Sequence, residues 1–169
     1  MDAMEAITGR RSVRRYTDKP IPEDVQEKLL KAAMAAPSAG NEQPWHFIIV
    51  QSPEMRAAIA RVHPHAQMVR QAPLAVVVCG DLELQKHEGF WVQDCSAAVE
   101  NLLVAANALG LGGVWCGVHP AGDREAALRE VFGIPQEIVP FAVVAVGYAA
   151  EQPAPADRYQ RERIHQGVW

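Results

Sequence analysis

Cysteine is scarce in this chain. Cys79, Cys95 and Cys116 are widely spaced, odd in number and form no CxxC pair, which argues against a disulfide framework and fits a reduced, cytoplasmic setting. No apolar run reaches the length of a membrane span, and no charged-then-apolar leader opens the chain. There is no internal repeat. Excess positive charge is missing too: the net charge is -4, so the whole-chain balance gives no pull towards nucleic acid or an anionic membrane. The sequence shows no Ser/His/Asp set, no carboxylates paired for acid–base catalysis, no metal-ligand cluster and no GxGxxG dinucleotide fingerprint. No side chain is therefore expected to be the reactive group, and no metal site is expected.

What is present suits one domain over residues 1–169 with a sizeable core, since 49% of residues are hydrophobic and 21% charged. A short N-terminal helix with Ala3, Met4 and Ile7 on one face should stop at Gly9. A second helix opens at Ile21-Pro22-Glu23, buries Val25, Leu29, Ala32 and Ala36, and stops at Pro37. Ser52-Pro53-Glu54 reads as the cap and first turn of a helix running to Val62, broken by His63-Pro64-His65. Those two histidines have no cysteine or carboxylate partner at metal-ligand spacing, so the stretch reads as a loop. Leu74 to Cys79 and Phe141 to Gly147 are continuous apolar runs, the pattern of strands buried on both faces. Between them, Val92, Cys95, Val99, Leu102, Leu103, Ala106 and Leu109 follow helical spacing from about Phe90, with Gly110 as the left-handed stop. This helix is apolar on several sides, so it should be buried between a sheet and a second subunit. Asp123 is expected to cap a last short helix through Phe132. Residues 149–157, rich in Ala and Pro, read as a linker into a C-terminal arm, 158–169, that carries Trp169 as an apolar anchor.

Two stretches carry chemistry. Arg10-Arg11-Ser12-Val13-Arg14-Arg15-Tyr16, if extended, points Arg10, Ser12 and Arg14 one way and Arg11, Val13 and Arg15 the other. Two guanidinium forks flanking a hydroxyl make a grip for a phosphate, though a solvated basic face has the same composition. Ala36-Pro37-Ser38-Ala39-Gly40-Asn41-Glu42-Gln43-Pro44-Trp45 packs hydroxyl and amide groups between two prolines, suited to wrapping a planar polar edge or to an ordinary turn. Gly112 to Val118 is a glycine-bracketed strand whose glycines would admit a ligand or another strand closely. Cys116 with His119 has the makings of half a metal site or a nucleophile with its base, but no third group lies nearby in sequence. Asp94 sits near the start of the long helix, where the dipole favours an acid.

Taken together and in this order, these motifs resemble the nitroreductase family, over nearly the whole chain. The carriers are Arg10-Arg11-Ser12-x-Arg14, the 36–45 loop, Gln93-Asp94-Cys95-Ser96-Ala97-Ala98 with Glu100-Asn101-Leu102-Leu103, Leu109-Gly110-Leu111-Gly112 leading to Trp115-Cys116-Gly117, and Arg161-x-Arg163. The resemblance implies an α+β fold, a three-layer α/β/α sandwich with a mainly antiparallel central sheet, in an intertwined homodimer with FMN at the subunit interface. It implies that Arg10, Ser12, Arg14, Arg161 and Arg163 hold the phosphate and ribityl end, with Arg11 using its backbone on the ring. Pro37, Ser38, Ala39 and Asn41 would reach the ring edge from the other subunit, and Trp115, Cys116 and Gly117 would line the ring. FMN would be the reactive group, reduced by NADH or NADPH and reoxidised by a small aromatic acceptor, a nitroaromatic or quinone, in ping-pong fashion. Two other readings remain open at this point: a dedicated flavin enzyme of the same fold (dehalogenation, flavin fragmentation or azoline oxidation), and a non-redox binding module using the Arg10–Arg15 cluster. The span from Asp81 to Gly89 is short where larger members carry a covering excursion, so little of a lid is expected.

Overall fold

In the computed structural model, which describes residues 1–169, four strands form one antiparallel sheet: β1 (Trp45–Val50), β2 (Leu74–Asp81), β3 (Gly112–Gly117) and β4 (Ile138–Gly147). Their spatial order is β1-β2-β4-β3, so the two continuous apolar runs occupy the middle. Because neighbouring side chains on a strand face opposite ways, β2 and β4 feed two cores at once. Val76, Val78, Ala142, Val144 and Val146 pack on one face; Ala75, Val77, Cys79, Val143 and Ala145 pack on the other.

The first face is covered by α2 (Glu23–Met34) and α4 (Trp91–Ala108), through Leu29, Ala33, Cys95, Val99, Leu102 and Ala106. The second is covered by α3 (Pro53–Val62), α5 (Gly122–Phe132) and the 3₁₀ turn Gln67–Arg70, through Ile59, Leu128 and Val69. This is the three-layer α/β/α arrangement expected from the motifs. α1 (Ala3–Gly9) is held by a capping box of Asp2 and Glu5. It buries only Ala6, so Met4 and Ile7 are left exposed on this chain.

Several boundaries fall as the sequence implies. Ser52 Oγ accepts the Met55 N–H as the cap of α3, with Pro53 in the first turn. Gly110 takes φ 75° just past α4, the left-handed turn that ends the helix without a Cβ clash. Others shift. Ala33, not Ala32, lies fully under α2, and Leu109 is exposed because α4 ends one residue before it. Asp123 lies inside the first turn of α5; Ala121 occupies the cap position and no side chain caps that helix.

The arginine-rich segment is not a free strand. Val13 N–H donates to Gly113 O at 3.0 Å, with a parallel bridge between Ser12 and Gly113, so the segment covers the outer edge of β3. Only a small β3 residue permits this approach: a Cβ on Gly112 would stand 2.6 Å from Val13 Cγ2. Strict alternation fails here, since Val13 and Tyr16 are both buried while Arg14 and Arg15 between them are both exposed. Tyr16 bridges to Ala149, Ala150 N–H donates to Arg15 O, and Glu151 accepts the Arg14 and Arg15 N–H groups at 2.6 and 3.2 Å. The stretch expected as a linker is thus tied down at its start. Beyond it, residues 154–169 are exposed throughout, including the 3₁₀ turn Arg161–Arg163.

Candidate functional site

At the C-terminal half of β3 the chain opens a cavity of about 530 Å³, a size that suits a small-molecule ligand. Trp115, Cys116 and Gly117 form one wall; His63, His65, Gln67 and Met68 form the second; Arg14 and Arg124 close the sides. No acidic side chain lines it.

The walls are joined through one carbonyl. Gly117 O accepts from His63 Nε2 at 2.9 Å and from Arg124 Nη1 at 3.1 Å. His65 N–H donates to His63 Nδ1 at 3.3 Å, so Nδ1 is the acceptor and the proton sits on Nε2. Burial pushes the His63 pKa down; the bond to Gly117 opposes that, and the nearby Arg124 and His65 charges add to it. The ring is therefore a neutral brace. Cys116 is not a poised nucleophile: burial pushes its thiol up to about 11, and Sγ lies 3.5 Å from His65 O and 3.8 Å from Met68 Sδ rather than on a base. The His119 ring turns elsewhere, to Glu125 at 2.9 Å and edge-on to Trp91, so the Cys116–His119 pairing considered from sequence does not form. No group of three or more metal-binding side chains exists.

The basic residues divide between two places. The Arg14 side chain makes no ion pair and faces the cavity, while its backbone is anchored on Glu151. Arg10 and Arg11 line a second hollow of about 340 Å³ with Val13, Leu103, Asn107 and Gly112. There Arg10 Nε donates to Glu100 at 2.9 Å, and Arg11 Nε is buried without a partner. Ser12 sits between them on the β3 edge. Arg161 and Arg163 stand on the exposed arm and line neither hollow.

Pro37, Ser38, Ala39 and Asn41 line neither hollow of their own chain. Their loop is nonetheless tightly specified. Gly40, Asn41 and Gln43 have φ of 53°, 55° and 46°, a conformation that non-glycine residues seldom adopt and that strains the latter two. Ser38 Oγ accepts the Gln43 N–H at 3.0 Å, and Lys86 Nζ donates to Gly40 O at 2.9 Å. Ala39 N–H donates to Asp94 Oδ1 at 3.0 Å, and Glu42 Oε2 accepts the Lys86 and His87 N–H groups at 2.6 and 3.1 Å. Residues 82–90, the short span before α4, are thus docked on this loop.

Sequence reasoning missed His63, Arg124, Glu42 and Glu151 as parts of this architecture. His63 had a visible signal in the His-Pro-His break. The two glutamates had none, because they act on backbone groups far away in sequence, and Arg124 had none because an arginine in the first turn of a helix gives no sign that it turns back to the end of the preceding strand.

A family model of the Nitroreductase family matches residues 7–66 and 60–148. A protein of Methanothermobacter thermautotrophicus, provisionally named NADH dehydrogenase/NAD(P)H nitroreductase, is 50% identical over 169 residues, covering 100% of this chain and 88% of its own. The crystal structure of a Parabacteroides distasonis protein with the same provisional name superposes with a TM-score of 0.94 at 40% identity, covering 99% of this chain and 98% of that one. A provisionally named nitroreductase from a Desulfovibrio desulfuricans subspecies, crystallised in complex with FMN, superposes at 0.87 with 30% identity, covering 100% of this chain and 98% of the other.

Proposed function

The chain belongs to the nitroreductase family, and on that premise we propose that it is an FMN-dependent oxidoreductase that takes hydride from NADH or NADPH and reduces a small aromatic acceptor, a nitroaromatic or quinone. The observation that carries the proposal is the acid-free cavity bounded by Arg14, Gln67, Trp115 and Gly117 beside the β3 edge. A flavin mononucleotide needs a flat slot, amide or backbone partners for its ring, and cations for its phosphate. The cavity's size and its unpaired Arg14 guanidinium fit that need, and the partnerless Arg11 Nε in the second hollow is a further free donor on the same segment.

In this reading Arg10, Ser12 and Arg14, with Arg161 and Arg163 returning on the arm, hold the phosphate and ribityl end. Arg10 exchanges Glu100 for the phosphate. Arg11 offers its backbone to the ring, and Trp115, Cys116 and Gly117 line it, with Gly117 held still by His63 and Arg124. Bound FMN would supply the redox chemistry, accepting hydride at N5 from the nicotinamide and passing it to the acceptor on one shared face.

The functional unit is a homodimer of single-domain chains with a site at each end of the interface. Pro37, Ser38, Ala39 and Asn41 would then complete the partner's site, which explains a rigid loop that serves no hollow of its own chain. The dimer also accounts for the exposed apolar side chains Met4, Ile7 and Met34 and for an arm that ends in a fully exposed Trp169. No helix is long and apolar enough to cross a membrane, and all three thiols are free and buried, which suits a cytoplasmic enzyme.

The test is spectroscopic. Purified protein is incubated with FMN, desalted and titrated anaerobically with NADH or NADPH. A retained flavin spectrum that bleaches is the expected result. Retained flavin that neither nucleotide bleaches would refute the hydride-transfer reading, and no retained flavin would refute the cofactor site.

A further inference from the structure

We infer that Glu42 and Asp94 share a single proton, and that this buried acid pair is the latch that positions the 36–45 loop. The inference rests on the reading of that loop as part of the flavin site. Both side chains are buried, with 6% and 4% of their surface exposed. Each has one oxygen fully engaged with backbone N–H donors and one with no donor at all: Glu42 Oε1 and Asp94 Oδ2 are buried and unpartnered. Both are fastened to one residue, Ala39, whose N–H donates to Asp94 Oδ1 at 3.0 Å and whose carbonyl accepts the Glu42 N–H at 3.0 Å, so the two carboxyls meet at the same turn and each acts on the other. Two ionised carboxylates cannot share such a space; one proton between the bare oxygens satisfies both.

The backbone decides which side holds the proton. Glu42 Oε2 takes two N–H groups, from Lys86 and His87, whereas Asp94 Oδ1 takes only that of Ala39. The negative charge is better held on Glu42, so Asp94 Oδ2 carries the hydrogen and donates it to Glu42 Oε1. Burial pushes the Asp94 carboxyl up, reinforced by the charge of Glu42. Burial pushes Glu42 up as well, but the Lys86 N–H, the bond from Asp94 and the His87 N–H outweigh it and leave Glu42 low.

No cation forms a salt bridge with either acid. Lys86 turns its ammonium to Gly40 O, and Glu100, the other acid of α4, turns to Arg10. The His87 ring is the remaining titratable neighbour, acting on both carboxyls through its charge. The proton is therefore what fastens the strained 39–43 turn to the first turn of α4 and to residues 82–90 at once. Its loss leaves two facing charges in a buried space and frees the loop. Asp94 and Glu42 are positioning residues; neither needs to touch the flavin.

The test uses amide substitutions on the full-length protein, reading the FMN dissociation constant by flavin fluorescence and thermal unfolding from pH 4 to 9. In Asp94→Asn the new amide can accept from Ala39 N–H and donate to Glu42 Oε1, reproducing the protonated acid. Glu42→Gln can do the same in reverse. In the double substitution the two amides have no shared hydrogen bond to make without giving up a backbone partner. We expect each single variant to keep FMN affinity within about threefold and the double variant to lose about tenfold or more, since a buried polar group is left unpaired.

Because Asp94 is raised in the folded state, the folded chain holds a proton that the unfolded chain releases. Wild-type stability should therefore fall relative to Asp94→Asn as pH rises above the ordinary aspartate value of 3.8, and level off once the proton is gone. Additive single and double effects, or an Asp94→Asn profile parallel to wild type, would overturn the latch. If wild type binds no FMN, the cofactor reading fails, while the unfolding profiles still decide the latch on their own.

Discussion

His63→Ala tests whether the cavity is held open by one neutral imidazole. The ring is 1% exposed, donates to Gly117 O at 2.9 Å and accepts from His65 N–H at 3.3 Å. Truncation removes two hydrogen bonds, each worth about 1 kcal/mol net, and leaves a void where the ring packed. Gly117 O keeps Arg124 as a donor, so only the His65 N–H loses its sole partner. The sum is roughly 2–4 kcal/mol, or a Tm lower by about 5–15 °C for a chain of this size. The pH dependence supplies the sharper signature. Burial depresses the His63 pKa, so the unfolded chain takes up a proton that the folded chain resists. This stability is present above the ordinary histidine value of 6.5 and is lost as pH falls from there towards the depressed folded value. Thermal unfolding followed by circular dichroism between pH 5 and 8 should show the wild type losing Tm on acidification more steeply than His63→Ala. His63→Phe, which fills the space without the bonds, should be equally flat. Parallel profiles, or a loss below about 1 kcal/mol, would show that the imidazole is not the brace.

Gly80→Ala should destabilise the fold by about 1–3 kcal/mol in denaturant titrations, because the added methyl lands inside the Trp91 ring that closes one end of the core. Arg14→Ala should weaken FMN binding by about tenfold or more, the loss of a charge-assisted bond to phosphate, with little change in Tm since the side chain is exposed. Deleting residues 158–169 should shift the protein from dimer to monomer in light scattering and lower FMN retention; a stable flavin-bearing dimer would refute the role given to the arm. Initial-rate kinetics against acceptor at several NADH or NADPH levels should give parallel double-reciprocal lines, and intersecting lines would rule out the shared face.

Much of the fold was legible because its signals are local. The uninterrupted apolar runs of β2 and β4 mark strands covered on both faces, and the Ser52-Pro53-Glu54 start and the Gly110 stop follow from hydrogen bonding and φ at single residues. The misses are also local in kind. Asp123 is as good a cap by composition as by position, but the chain enters α5 two residues earlier, and the stripe under α2 is rotated to Ala33 by how the helix meets α4.

What residue order by itself determined is the inventory: two strands that had to be central, a long helix too apolar to face water, a basic stretch in a chain of net negative charge, and a turn dense in small polar groups. Which of those groups meet was decided by tertiary structure. Alternation placed Arg10 and Arg14 on one face, yet hydrogen bonding to the β3 edge puts them at different hollows and gives Arg10 to Glu100, 90 positions away. Likewise His63 finds Gly117 across 54 positions, and Glu42 finds the Lys86 N–H across 44. Buried polar atoms must be satisfied by whatever the packed sheet and helices bring within about 3 Å, and that proximity is a property of the folded chain, not of spacing along it.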